Sequence, residues 1–335
     1  MSQFRVGITG DVLDSSGEPI FGREALGLLD AGGVAWEYMA QEPGGVTPAQ
    51  AARYDAICAM LTRVTAASLA GPDRRLKLIA RFGVGYDTID VPACTAAGVL
   101  LTIAPDGVRR PVATSALTFV LMLAQKVLVK DRLTRAGRWS EKLDHIGTGL
   151  TGRTLGSIGL GNIGAELFRL ARPLEMNGIA HDPFASPALA AELGVRLVDM
   201  ETLFRESDFL TVNCPLSEAT RGLVSARLLE MMKPSAYLIN TARGPIVDER
   251  ALHDALASSR LAGAGLDVFE EEPTPVSNPL LQLDNVVVTP HGICFTDECM
   301  RRLAESAFRA VLDVAAGRIP PYVVNPGMAG APSAH

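Results

Sequence analysis

An α/β fold with two parallel sheets is predicted for this 335-residue chain by three observations. Helix-period and strand-period stretches alternate from Phe4 onward. The strand stretches are runs rich in Val, Ile and Leu, as in sheets covered on both faces. A glycine turn, Gly159-Leu160-Gly161-Asn162-Ile163-Gly164, lies between one such run and a helical pattern. The length exceeds one ordinary core, so two domains are expected.

Residues 4–9 (FRVGIT) read as a first strand, 19–29 as a helix, 55–61 as a second strand and 76–83 as a third. The run 99–105 ends this unit, with Asp106-Gly107 as a loop. Pro111 suits a first helical turn and opens a long apolar helical run to 137. That run is too apolar for a surface helix, so another domain or subunit is expected to cover it. Strands of a second unit follow at 153–160, 178–182, 208–215, 236–242, 263–269 and 285–291, separated by helical patterns such as 248–259. The last helix, 297–317, has room to return to the first unit, and the tail after Pro326 is expected to be disordered. The outline is a Rossmann-like doubly wound parallel sheet (107–295) inserted into a smaller flavodoxin-like α/β domain (1–106 plus 296–335). The chain crosses between them twice, at a cleft.

Composition excludes several classes. The chain is 48% hydrophobic and 20% charged, with a net charge of −6, which argues against binding to nucleic acid or anionic lipid. No apolar run approaches the ~20 residues of a membrane helix. Residues 5–10 read as a strand and not as a signal peptide. Cys58, Cys94, Cys214, Cys294 and Cys299 are scattered, with no CxxC pair, and suggest reduced thiols in the cytoplasm and no metal site.

The glycine turn points to a dinucleotide. Gly159 permits the tight turn, Gly161 the close approach of a pyrophosphate, and Gly164 close packing of helix on strand. Asn162 and Ile163 complete this turn. The helix N-terminus presents free N–H groups to phosphate. Asp182, 18 residues past Gly164, stands where an acid accepts bonds from the adenosine ribose hydroxyls and repels a 2′-phosphate. Neither Pro183 nor Phe184 offers a cation, so NAD is favoured over NADP. A methyltransferase, or a purely structural turn, shares the same motif.

Later stretches narrow the choice: "LINTARGPIVDERALHDAL" (238–256), "AGAGLDVFEEEP" (262–273), "NVVVTPHGICFTDE" (285–298) and, earlier, "RFGVGYDTID" (81–90). In this order they resemble the D-isomer-specific 2-hydroxyacid dehydrogenases, the phosphoglycerate dehydrogenase-like family. The resemblance implies reversible hydride transfer between NAD(H) and C2 of a small 2-hydroxy or 2-keto acid. Arg243 matches the cation that binds the substrate carboxylate, as its planar fork suits. His291 matches the acid–base group, a role that imidazole chemistry suits. Glu272, just before the proline, matches the carboxylate that orients it. The resemblance further implies that amides of Val84 and Gly85 hold the substrate carboxylate. It implies that Asp267 meets the nicotinamide carboxamide, and that Cys214, Pro215, Thr241 and Ala242 line the nicotinamide side. It also implies a homodimer through the 111–137 helix.

The chain departs from the family pattern after the histidine, with Gly292-Ile293-Cys294, and in the stretch "GVRRPVATSAL". Ala59-Met60 stands where phosphoglycerate-oxidising members carry an arginine and a small polar residue. Arg109 and Arg110, at the first crossing, read either as a solvated pair at the start of a helix or as a site, Arg110 foremost, for a second anionic end of the substrate. Two further functions remain open: an NAD(H)-sensing, corepressor-like binding protein, and a formate-oxidising relative, against which Glu272 speaks because those enzymes resemble this chain with Gln before the same proline.

Overall fold

The computed structural model describes residues 3–325; the expected disordered tail from Pro326 lies outside the described residues. The chain divides into two compact units. One runs to Val108 and resumes at Phe295; the other is Arg109–Cys294.

The first unit holds a five-stranded, all-parallel sheet in the order β2-β1-β3-β4-β5. Its strands are β1 (Arg5–Thr9), β2 (Ala35–Met39), β3 (Ala56–Ala59), β4 (Leu78–Arg81) and β5 (Leu100–Thr102). The β1, β3 and β4 strands are the apolar runs expected. The edge strand β2 is additional: its AWEYM sequence is only half-buried, so it lacks the continuous apolar signal of an inner strand. The helix expected at 19–29 is shortened. Gly22 takes φ +77°, a conformation that breaks a helix, and only a 3₁₀ turn (Arg23–Leu26) and the helix Gly27–Ala31 follow. The helix Asp297–Ala315, capped by Thr296, packs on β4, and its Phe308 meets Phe21 and Phe82 edge-on. Val323 then bridges to Thr102, and the buried Asn325 accepts the Leu101 N–H through Oδ1 at 2.9 Å.

The second unit holds seven parallel strands in the order β12-β11-β10-β9-β6-β7-β8. They are β6 (Thr154–Ile158), β7 (Asn177–His181), β8 (Val195–Leu197), β9 (Phe209–Val212), β10 (Tyr237–Asn240), β11 (Gly263–Leu266) and β12 (Val286–Val288). The short edge strand β8 has one buried residue of three and gives no apolar run. The chain leaves β6 toward β7 and β8 and returns to β9 on the other side. This reversal opens a crevice at the carboxyl ends of β6 and β9, where ligands of such sheets bind.

The long helix differs most from expectation. It begins at Pro105, not Pro111, and ends at Ala124; Lys126, at φ +51°, separates it from a second helix, Val127–Arg135, bent by 56°. Asp106-Gly107 is therefore helical and not a loop, and Arg109 and Arg110 lie within the second turn rather than at a helix start. Ala113, Ala116, Phe119, Val120, Leu123 and Ala124 are buried in the second unit's own core, so no other subunit is needed to cover them. Phe119 packs on Gly265, where a Cβ would come within 2.7 Å of its ring. Among the described residues no single helix is long and apolar enough to cross a membrane, and no group of His, Cys, Asp or Glu side chains could hold a metal ion.

Candidate active site

Two of the three glycines are required for a steric reason. Gly159 has φ +98°, and a Cβ there would lie 3.0 Å from the Asn213 carbonyl carbon. A Cβ on Gly164 would meet the Gly159 carbonyl oxygen at 2.4 Å, so the helix Asn162–Ala171 can approach β6 only with glycine at this position. Gly161, by contrast, faces open space: nothing lies within 4 Å of its would-be Cβ. It is the N-cap of that helix and supplies no side-chain bond to the first-turn amides, which leaves N–H donors and the positive end of the helix dipole for an anion.

Asp182 follows β7 and is held on both sides. Its Oδ2 accepts the Leu160 N–H at 2.7 Å, inside the glycine turn, and its Oδ1 accepts the Phe184 N–H at 2.8 Å. The acid and the turn are thus one construction. Across the crevice, Asn213 donates to Ser157 Oγ and Thr211 Oγ1, while its own Oδ1 is buried without a partner. An orphaned acceptor beside an open glycine cradle, at the point where the sheet order reverses, fits a bound dinucleotide. Cys214 and Pro215 follow directly. Burial pushes the Cys214 thiol up to about 11, so it stays protonated at neutral pH and acts as an apolar wall, not a nucleophile.

Arg243, Glu272 and His291 come from three loops at the carboxyl ends of β10, β11 and β12. Gly244 explains how the first two meet: a Cβ on it would fall 1.9 Å from the Phe269 carbonyl carbon, so the Arg243 turn lies directly against the segment leading to Glu272. Glu272 Oε1 accepts the Phe269 N–H at 3.0 Å and Oε2 bonds His291 Nδ1 at 2.6 Å. Burial pushes the Glu272 carboxyl up, but the bonds from His291 and Phe269, with the charges of His291 and Arg243, outweigh it and leave the group below its usual range. His291 sits at φ +50°, a conformation costing a non-glycine residue ~1–3 kcal/mol. Asp267, 4% exposed, offsets that cost. Its Oδ1 accepts the Gly292 and Ile293 N–H groups and the Thr289 hydroxyl, and its backbone carbonyl accepts the His291 N–H. Asp267 Oδ2 takes no protein donor among the described residues and remains available to a ligand amide.

Thr241 and Ala242 form the turn that ends in Arg243, whose guanidinium donates to the Ala242 carbonyl at 2.6 Å. Val84 and Gly85 belong to the other unit, in the loop after β4. The buried Arg81 shapes that loop by donating to the Gly85 and Phe82 carbonyls, both at 2.7 Å. Arg110 is engaged elsewhere: it forms an ion pair at 2.8 Å with the buried Glu166 of the glycine-turn helix. Arg109 is exposed and takes no protein partner among the described residues. The sequence reading missed Arg81, Asn213 and Asn240. Their only trace in the sequence is a polar residue at the end of an apolar strand.

Known proteins resemble the chain over most of its length. Residues 117–292 match the NAD binding domain of the D-isomer specific 2-hydroxyacid dehydrogenases. A glyoxylate reductase from Korarchaeum cryptofilum is 38% identical over 81% of this chain and 82% of its own length. A D-3-phosphoglycerate dehydrogenase from Archaeoglobus fulgidus is 39% identical over 79% of this chain, but the match spans only 50% of that enzyme. Among solved structures, the D-lactate dehydrogenase of Aquifex aeolicus complexed with NAD and lactic acid has a TM-score of 0.83 at 25% identity, covering 98% of this chain and 100% of that one. With its glycine turn, its acid at Asp182 and a family match over more than half its length, this chain belongs to the D-isomer specific 2-hydroxyacid dehydrogenase family and is an NAD-dependent oxidoreductase.

Proposed function

We propose that the chain reduces a small 2-keto acid, and oxidises the corresponding D-2-hydroxy acid, with His291 as the acid–base group. The observation that carries the reading is the 2.6 Å bond between His291 Nδ1 and a carboxylate already anchored by backbone. It fixes the ring and leaves Nε2 as the nitrogen open to a substrate oxygen. NADH, when bound, supplies the hydride received at C2. The imidazolium releases its proton to the carbonyl oxygen, so the product is the neutral hydroxyl. Arg243 holds the substrate carboxylate and polarises that oxygen. The named relatives act on glyoxylate or 3-phosphoglycerate, so both types of acid belong in the test. NADH oxidation against a panel of 2-keto acids, including glyoxylate, pyruvate, dicarboxylic and sugar-derived members, should give steady turnover with at least one. Tight NADH binding with no turnover on any would favour the NAD(H)-sensing alternative.

Glu272→Gln should lower kcat for keto-acid reduction while NADH affinity stays unchanged. Glutamine keeps a hydrogen bond to the ring but removes the carboxylate charge that anchors and orients it. Stopped-flow reduction beside an NADH fluorescence titration reads both. Wild-type kcat would deny Glu272 its role.

The homodimer also enters as a proposal, through the exposed residues of the 111–137 run and the segment that follows it. Six exposed apolar residues fall within residues 121–146: Leu121, Val127 and Leu128, and Trp139, Leu143 and Ile146, the last three at 66%, 71% and 71% exposure. So much exposed apolar area in one segment suits a subunit contact. Sedimentation at micromolar concentration should give twice the 35.5 kDa chain mass; a monomer across that range would refute the dimer.

A further inference from the structure

We infer that Asn240 is the positioning residue for Arg243: its buried side-chain amide locks the turn that presents the guanidinium. The inference rests on Arg243 binding the substrate carboxylate, as proposed above. Asn240 closes β10 and is 1% exposed. The residues before it, Leu238 and Ile239, are fully buried and apolar, so packing alone would favour another apolar side chain here. Instead both polar atoms of the amide are used within one three-residue turn. Oδ1 accepts the Ala242 N–H at 3.0 Å, and Nδ2 donates to the Arg243 carbonyl at 2.8 Å.

These two bonds fix the Thr241–Ala242 and Arg243–Gly244 peptide groups, which bracket the two residues ending in Arg243. The turn cannot recede, because Asn240 itself accepts the Asp267 N–H through its backbone carbonyl at 3.0 Å, and Gly244 is pressed on Phe269. Nor does the sheet make any use of the amide, since the Asn240 backbone already pairs in register with Val212 and Leu266. What the amide provides is a donor and an acceptor in one plane. Aspartate offers two acceptors when ionised, and leucine, of similar shape, offers neither. A guanidinium reaching a carboxylate depends on backbone placement, and an error of ~1 Å in such positioning costs up to ~100-fold in rate.

The test compares wild type with Asn240→Asp, Asn240→Leu, Arg243→Ala and the Asn240→Asp/Arg243→Ala double variant, all as full-length protein with NADH and the best keto acid of the panel. Melting temperatures and NADH fluorescence titrations come first; NADH affinity should stay within about twofold for each variant. At pH 8, Asn240→Asp should raise KM for the keto acid and lower kcat/KM by about 10- to 100-fold. As the pH falls, the buried carboxyl takes up a proton and regains a donor for the Arg243 carbonyl, so kcat/KM relative to wild type should partly recover. Arg243 and Asp267, the charged residues on the adjoining segments, are present in the wild type as well, so the ratio isolates the new carboxyl. Asn240→Leu should lose activity without this recovery. In the Arg243→Ala background, Asn240→Asp should have no additional effect on KM.

Wild-type KM in Asn240→Asp, or a loss with the same pH dependence as in Asn240→Leu, would overturn the positioning role while a crippled Arg243→Ala leaves the carboxylate reading standing. If Arg243→Ala keeps its KM, it is the carboxylate reading that fails. A lower melting temperature with unchanged kinetic constants would reduce Asn240 to a stabilising residue and overturn the inference.

Discussion

His291→Ala should reduce kcat for keto-acid reduction by about 10²- to 10⁴-fold, the scale of a lost general acid. Binding of NADH should survive nearly intact, because the glycine turn, Asp182 and the orphaned Asn213 acceptor lie in other loops of the same unit. The loop itself should keep its shape: Asp267 holds it through the amides of Gly292 and Ile293, not through the imidazole. The left-handed turn at φ +50° is held by backbone bonds to Asp267, so a drop in melting temperature should be small. Stopped-flow reduction at saturating NADH, beside a fluorescence titration of NADH alone, separates chemistry from binding. Wild-type kcat in this variant would mean that another group supplies the proton, and the 2.6 Å dyad would be only structural.

The second large effect concerns the cofactor. NADH should be preferred over NADPH by about 100-fold or more in kcat/KM, a difference of about 3 kcal/mol, as expected when a 2′-phosphate meets a like charge and forfeits charge-assisted bonds. Asp182 has no freedom to turn away, since both carboxylate oxygens are tied to backbone N–H groups at 2.7 and 2.8 Å. The segment that follows it, Pro183-Phe184, brings no cation, and Phe184 is 94% exposed. Steady-state kinetics with both cofactors and the same keto acid decide the matter. Equal or better use of NADPH would remove Asp182 from its assigned role.

The parts of the site legible in the sequence were those with a local cause. Gly159 and Gly164 could be read because only a missing Cβ permits their turn and close packing, and Asp182 because an acid at the end of the next strand has a fixed place in such sheets. The inner strands could be read from unbroken apolar runs, whereas β2 and β8 could not, since edge strands need no such run. Nothing local announced the break at Lys126, an ordinary residue holding a left-handed conformation between two helices. The partner of Arg110 was invisible for a related reason: Glu166 lies 56 residues away, and only the packing of two helices brings them together. Asn240 and Arg81 likewise do their work on backbone groups, which leave no mark in the pattern of side chains.

The first unit is built from both ends of the chain, and this has a consequence for how the protein comes to exist. On the ribosome, residues 109–294 emerge whole and in one piece, with all seven strands of their sheet. The first unit must wait. Its β4 lacks the covering helix Asp297–Ala315, and Phe21 and Phe82 lack Phe308, until the whole of the second unit has been made. Leu101 and Thr102 lack the strap from Val323 to Asn325 for longer still. The nascent chain therefore carries an unfinished hydrophobic face while residues 109–294 are being made. That face, and not the nucleotide-binding sheet, is the surface a chaperone would have to shield.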